Sequence, residues 1–125
     1  MNTEEGLFVP VLRDIGGRQR DEIQRDFEQL KMGVINRSVA PQELRNATIT
    51  LSNFGMVGGR HAVLVIMPPQ VAILGAGRIT QEPRIVDGRI RPCPILPLSL
   101  TFDHRAVTGV EATRFLMAAI ADLEN

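Results

Sequence analysis

The stretch ILPLSLTFDHRAVTG, residues 95 to 109, joins an apolar run to a polar turn. Its first part, Ile95 to Phe102, has the length and composition of a buried strand. The strand leads directly into Asp103-His104, and apolar side chains recur at helical spacing beyond Gly109. Imidazole takes up a proton near neutral pH, which makes His104 a candidate general base. Because most histidines at strand ends are structural, His104 alone does not predict catalysis.

The rest of the chain reads as an alternation of helices and strands. Apolar side chains recur at steps of three and four residues from Arg18 to Ile35, which predicts an amphipathic helix. Asp87-Gly88, inside Ile85 to Ile90, is typical of a tight hairpin. Pro41 suits a short helical piece over residues 40–44. Four further strands are predicted: Leu7 to Leu12, Ala47 to Leu51, Ala62 to Met67 and Val71 to Gly75. The pattern predicts an α+β domain, a sheet with helices on one side, over residues 1–125.

Composition excludes several classes of function. The 125 residues are 44% hydrophobic, enough for one core, and 14 basic residues balance 14 acidic ones. This balance predicts neither nucleic-acid nor membrane-surface binding. The longest apolar run is too short to span a bilayer, and the N-terminus does not resemble a signal peptide. Cys93 is the single cysteine, which fits a reducing compartment and a cytoplasmic location.

The remaining glycine-rich stretches and His61 do not match a nucleotide-binding or metal-binding motif. GMVGG, residues 55–59, lacks the Gly-Lys-Ser/Thr ending of a phosphate-binding loop, and Gly75-Ala-Gly77 lacks the dinucleotide-binding spacing. GMVGG is interpreted as a turn between strands. His61 has no acidic or hydroxyl neighbour in sequence, so it is interpreted as structural. Two distant histidines, one cysteine and scattered carboxylates have no metal-ligand spacing, and no metal site is expected.

Four stretches together resemble one family: GLFVPVLRD at 6–14, TITLSNFGMVGG at 48–59, PPQVAILGAGRI at 68–79 and DHRAVTG at 103–109. They resemble, in the same order, the acyltransferase (E2) components of 2-oxoacid dehydrogenase complexes, which share the chloramphenicol-acetyltransferase-like fold. The resemblance runs from about Gly6 to Asn125. It implies the C-terminal half of that two-layer catalytic domain, with a mixed sheet and helices on one side.

The resemblance also implies a reaction and its residues. An acyl group moves between the lipoyl thiol carried by a partner domain and the thiol of coenzyme A, without a metal. By resemblance, His104 is the general base and the Ser52 hydroxyl donates to the oxyanion. Ser52, Asn53 and Gly77 are implied in coenzyme A binding, and Thr108 occupies the last polar position of the histidine motif. In this family the serine and the histidine come from different subunits of a trimer, so a homotrimer and a lipoyl domain are the expected partners.

Two departures from the family leave an alternative open. The family pattern is Asp-His-Arg-x-x-Asp-Gly, with Asp or Asn at the sixth position, and Thr108 stands there in this sequence. The sequence also corresponds to half a catalytic domain and stops before the apolar tail that joins trimers, so small oligomers are expected rather than a large hollow core. The alternative is a non-catalytic oligomerisation or scaffold module. O-acetylation of a small alcohol is a third and weaker hypothesis. The sequence does not indicate which acyl group is transferred.

Overall fold

The computed structural model describes residues 1–4 and 6–125 and divides them into two compact units, 1–47 and 48–125. Each unit is described by itself, and the prediction of one domain over the whole chain stays a prediction. The helices and strands, in chain order, are β1 (Asn2–Thr3), β2 (Gly6–Leu7), α1 (Arg20–Ile35), β3 (Thr50–Asn53), β4 (Ala72–Ala76), β5 (Thr80–Val86), β6 (Arg89–Ile95), β7 (Leu98–Phe102) and α2 (Gly109–Glu124). Within the described part of the chain, no helix has the length and apolarity needed to cross a membrane.

The first unit consists of a short hairpin of β1 and β2, the helix α1 and a 3-10 turn at Pro41–Leu44. The predicted helix over 18–35 is confirmed, as is the short helical piece. The Glu22 carboxylate accepts the backbone N–H of Gln19 and so caps the start of α1. The strand predicted over residues 7–12 is wrong beyond Leu7. Pro10 has no N–H to give a ladder, and Val11 N–H donates instead to the carbonyl of Glu43.

The second unit is built on a three-stranded sheet in the order β3-β4-β7. β3 is parallel to β4, and β4 is antiparallel to β7, so the sheet is mixed as predicted. The two β4–β7 pairs Ala72–Phe102 and Leu74–Leu100 lie on one face. Helix α2 covers this face and leaves a groove of about 270 Å³ between the helix and the sheet. The helix buries Ala112, and the prediction of a closing helix is confirmed.

Residues 62–67 lie across the opposite face of the same sheet. The N–H groups of Ala62 and Leu64 donate to the hydroxyls of Ser99 (3.5 Å) and Thr101 (3.3 Å). Because those acceptors are two residues apart on β7, residues 62–64 advance about as fast as a strand and are extended. The strand predicted over residues 62–67 is nevertheless wrong. Two of its N–H groups bond to side chains on a sheet face, and it joins no ladder among the described residues.

A separate hairpin of β5 and β6 leaves this sheet after β4. The turn residues Asp87 and Gly88 both have positive φ, 52° and 73°, as a two-residue type I′ turn requires, so the predicted hairpin is confirmed. The strand predicted over Ile95 to Phe102 is divided between the end of β6 and the whole of β7. The strands predicted at 47–51 and 71–75 are found displaced along the chain, as β3 and β4.

Candidate active site

Ser52 lies near the end of β3, and the loop after it folds back tightly against the end of β4. Phe54 N–H donates to the carbonyl of Ala76, and Arg78 N–H donates to the carbonyl of Gly59 at 2.7 Å. A 3-10 turn at Gly55–Val57 lies between these bonds, which confirms that GMVGG is a turn. The loop that follows Ser52 is therefore hydrogen-bonded at its two ends to Ala76 and Arg78, at and just beyond the end of β4.

Glycine is required where this loop meets the end of β4. A Cβ on Gly77 would lie 2.1 Å from the carbonyl oxygen of Arg60, and one on Gly55 would lie 2.3 Å from the carbonyl oxygen of Gly77. On Gly75 a Cβ would clash with two side-chain atoms, Leu64 Cδ1 at 2.6 Å and Phe54 Cε1 at 2.7 Å, and would make an ordinary contact with the Ser99 carbonyl oxygen at 3.5 Å. Two backbones therefore pass each other at a distance that only glycine permits, and this close packing holds the loop that follows Ser52.

His104 lies in a turn held by charged and backbone groups. The Asp103 carboxylate accepts three donors of Arg105: the backbone N–H at 3.0 Å, Nε at 3.0 Å and Nη2 at 2.7 Å. The hydrogen bond from the Arg105 side chain is the main reason why the pKa of Asp103 is lowered from 3.8 to about 2. Asp103 N–H donates to the carbonyl of Val71, which ties the turn to the sheet. The His104 side chain is exposed, and its ring centroid lies 5.5 Å from that of Phe102.

Thr108 forms the N-cap of α2 through a reciprocal pair of contacts with Glu111. The Thr108 hydroxyl accepts the N–H of Glu111 at 3.3 Å, and the Glu111 carboxylate accepts the N–H and hydroxyl of Thr108 at 2.8 and 2.7 Å. The two bonds that the Glu111 carboxylate accepts lower the pKa of Glu111, and the bond from the Thr108 backbone N–H has the larger effect. Thr108 thus fixes the end of the histidine turn to the start of α2. The Thr-x-x-Glu spacing is the sequence signal that predicts this cap, and it was missed.

Ser52 and His104 lie at distant positions on the same sheet. Ser52 is level with Gly75 and Ser99, whereas the turn of His104 begins where Asp103 bonds to Val71. The Cα atom of Asp103, four residues beyond Ser99 and two strand spacings from β3, therefore lies about 16 Å from that of Ser52, and His104 is one residue farther along the chain. Ser52 shares the face of Ser99, and the His104 ring contacts Phe102, whose side chain faces α2. One chain therefore does not bring the two side chains to a common substrate.

The other predicted site residues differ in their surroundings. Asn53 is exposed beside Ser52. Gly77 is buried, and its N–H donates to the carbonyl of Pro97 at 2.9 Å, so this position serves packing. His61 is exposed. Among the described residues no three of the His, Cys, Asp and Glu side chains are grouped as a metal site would need.

The whole chain, residues 1–125, matches the family model for the catalytic domain of the 2-oxoacid dehydrogenase acyltransferases. It is 41% identical over 108 residues to the dihydrolipoyllysine-residue acetyltransferase component of the pyruvate dehydrogenase complex of Staphylococcus epidermidis. That match covers 86% of this chain and 25% of the relative. The chain thus spans about a quarter of the length of the curated relatives it matches.

Solved structures of the same class share the fold. A probable dihydrolipoamide acetyltransferase from Listeria monocytogenes superimposes with a TM-score of 0.91 at 28% identity, over 99% of this chain and 53% of that one. The dihydrolipoamide acetyltransferase of Azotobacter vinelandii gives 0.83 at 31% identity, over 98% and 50%. The chain therefore spans about half of these solved chains, and the predicted α+β fold is confirmed.

The Azotobacter structure was determined to investigate a serine, a histidine and an asparagine in the catalytic mechanism of that enzyme. In that protein the histidine follows the serine by 52 residues and the asparagine follows the histidine by four. The same two intervals separate Ser52, His104 and Thr108. The match over the full chain, the shared fold and these intervals lead to one conclusion: this chain belongs to the 2-oxoacid dehydrogenase acyltransferase family.

Proposed function

We propose that this chain carries the catalytic serine and histidine of a dihydrolipoamide acyltransferase, which moves an acyl group between dihydrolipoamide and coenzyme A. The observation that carries the proposal is the pair Ser52 and His104, present at the interval found in the Azotobacter enzyme. Each member has its own support: Ser52 lies on β3 just before the glycine-packed loop, and His104 lies in the Asp103–Arg105 turn.

The reaction needs a base, because a thiol with a pKa near ~8.5 is mostly protonated at neutral pH. His104 accepts the proton of the coenzyme A thiol as its sulfur attacks the thioester carbon of the acyl-lipoyl group. The carbonyl electrons move onto the oxygen, and the Ser52 hydroxyl donates a hydrogen bond to that oxyanion. When the intermediate collapses, the bond to the lipoyl sulfur breaks and that sulfur takes the proton from His104. The exposed position of His104 leaves its ring accessible to a thiol.

The separation of Ser52 and His104 supports a site formed by two copies of the chain. A base must come within about 3 Å of the thiol, and an oxyanion donor within about 3 Å of the developing charge. About 16 Å separate the Cα atoms of Ser52 and Asp103, the residue before His104, and the serine and histidine side chains point toward different faces, so one chain does not satisfy both requirements. Ser52 of one copy and His104 of the next, as in a homotrimer, can together meet both distance requirements.

The remaining assignments rest on the same proposal. Thr108 acts through the cap of α2, where it fixes the end of the histidine turn. Asn53, exposed beside Ser52, offers an amide to coenzyme A, and Gly77 contributes through the close packing that lets the loop lie on β4. A lipoyl domain is the second partner, and the cytoplasm is the proposed location.

A non-catalytic scaffold module is the second candidate. Thr108 favours it, because threonine stands where the Azotobacter enzyme has an asparagine, and its hydroxyl is bonded to Glu111. A direct assay of acyl transfer separates the two candidates, since a scaffold module forms no product.

The test supplies acetyl coenzyme A and dihydrolipoamide and measures S-acetyldihydrolipoamide by chromatography. Separation of the product is needed because transfer leaves the totals of thiols and thioesters unchanged. We expect His104→Ala to lower turnover by about 10²- to 10⁴-fold, since the base is lost.

His61→Ala is the matched control, an exposed histidine away from the turn, and it should keep the wild-type rate. No product from the unsubstituted chain, or equal rates in the two variants, would contradict the proposal.

A further inference from the structure

One face of the hairpin of β5 and β6 carries a concentration of arginine. Arg84 and Arg91 are paired directly across the two strands, and Arg89 lies two residues from Arg91 on the same face. All three residues are exposed. Arg60, in the loop between β3 and β4, reaches this face as well, because its guanidinium pairs with the carboxylate of Glu82. These four arginines are called here the arginine row.

The arginine row holds more positive charge than the carboxylates around it neutralise. Glu82 is the one acidic residue among the ladder positions of this face, and it is shared between Arg60 and Arg84, whose Nη2 lies 3.3 Å from its carboxylate. Within the part of the chain that the structure describes, Arg89 and Arg91 have no ion pair and no side-chain hydrogen bond. Even with the aspartate of the turn, four guanidinium groups face two carboxylates, so the face keeps a net positive charge.

The pair Arg84–Arg91 is unfavourable for the chain by itself. Residues directly opposite each other in an antiparallel ladder have Cα atoms about 4.5–5.5 Å apart, and like charges at such positions destabilise the sheet. An anion that binds between the two guanidinium groups reduces this repulsion. Every basic residue of this face is an arginine, and its planar guanidinium binds a carboxylate through two parallel hydrogen bonds. The pair therefore indicates an anionic ligand.

The length of the arginine row favours a chain of carboxylates over one small anion. Arg89 and Arg91 are two residues apart, about 6.6 Å along the strand. The ladder advances four pairs from Arg89 to Glu82, where Arg60 contacts the face, which is about 13 Å. A single tetrahedral anion is too small to contact both ends of such a row. An extended peptide presents side chains on one side every ~6.6 Å, which is the repeat of the row.

Proline keeps a partner from adding a strand to the hairpin. In a hairpin closed by a two-residue turn, the pairs Pro83–Pro92 and Gln81–Pro94 are not hydrogen-bonded to each other, so their backbone nitrogens point outward. The three prolines have no N–H to donate there. A ligand of the hairpin is consequently held by side chains of the arginine row rather than by the ladder.

We propose that the arginine row binds a short acidic segment of another protein, in extended conformation and with carboxylates at alternate positions. One carboxylate lies between the guanidinium groups of Arg84 and Arg91, and the next lies one repeat along the strand, beside Arg89. This docking role goes beyond acyl transfer, because it requires neither Ser52 nor His104.

The test measures the fluorescence anisotropy of a labelled peptide, Glu-Thr-Glu-Thr-Glu, with the full chain. We expect Arg91→Glu to weaken binding about tenfold or more, since hydrogen bonds to charged groups are worth that much, and Arg89→Glu to weaken it as well. Raising the ionic strength from about 0.05 to about 0.5 M should also weaken binding. Arg114→Glu, an exposed arginine on α2, is the matched control and should keep the affinity within about twofold.

Four results would overturn the inference: no measurable binding, equal losses in the row variants and the control, an affinity independent of salt, or equal affinity for the reordered peptide Glu-Glu-Glu-Thr-Thr. Displacement of the peptide by an equimolar amount of inorganic pyrophosphate or coenzyme A would assign the row to phosphate groups and would overturn it too. The readout does not use acyl transfer, so its outcome is independent of the proposed function.

Discussion

The two candidate catalytic side chains are held in place by different physical means. Ser52 lies near the end of β3, just before a loop whose backbone passes the end of β4 so closely that glycine is required at residues 55 and 77. His104 stands in a turn that is held by the Asp103–Arg105 pair and, at its end, by Thr108 and Glu111. The first support is steric and the second is electrostatic and hydrogen-bonded.

The difference shows which disturbances each half of the site should resist. Close packing does not respond to pH or salt, but one added methyl group breaks it. A turn held by exposed charged groups tolerates added volume but responds to protonation and screening. Each half can therefore be disturbed without the other.

The largest expected effect is that of Gly77→Ala on the serine loop. A Cβ there would lie 2.1 Å from the Arg60 carbonyl oxygen, so backbone must move, and we expect unfolding to become easier by about 3 kcal/mol. Urea denaturation followed by circular dichroism measures the change.

Gly109→Ala is the matched control, because no atom lies within 4 Å of a Cβ at that position, and it should shift stability by less than about 1 kcal/mol. Equal effects of the two substitutions would show that the loop is not held by close packing.

A smaller effect is expected from Arg105→Gln in the histidine turn. The folded-state pKa of Asp103 is lowered to about 2 from 3.8, so its stabilising contribution is present above pH 3.8 and is lost as the pH falls toward 2. Without the guanidinium, the pKa of Asp103 should return toward 3.8, and this pH dependence should flatten. Carboxyl carbon NMR titration measures that pKa directly.

Arg114→Gln, an exposed arginine on α2, is the matched control and should leave the Asp103 titration unchanged. An Asp103 pKa that stays near 2 after Arg105→Gln would remove the guanidinium as its cause.

Local patterns in the sequence were enough to predict elements that depend on near neighbours. The apolar spacing of α1 and the Asp87-Gly88 turn each specify one local conformation, and both are found. Prediction failed where hydrogen bonds depend on distant residues. Residues 62–67 have the alternation of a strand, but their N–H groups bond to hydroxyls on β7, which no local pattern indicates.

The candidate site was predicted from motifs, whereas its geometry could not be. Ser52 and His104 follow from the quoted stretches, but only the register of β3, β4 and β7 gives their separation. The resemblance implied a shared site between subunits, and the register supports it by an independent route. The pairing of Thr108 with Glu111 is a local signal that could have been found.

The central claim, a site shared between copies, is tested most directly by mixing two inactive variants. Ser52→Ala chains keep His104, and His104→Ala chains keep Ser52. After denaturation, mixing in equal amounts and refolding, about a quarter of head-to-tail contacts would join an intact serine to an intact histidine. We expect acetyl transfer to dihydrolipoamide at up to about that fraction of the wild-type rate, with neither variant active alone. If mixed oligomers form but give no transfer, although the unsubstituted chain is active, a site shared between copies is contradicted.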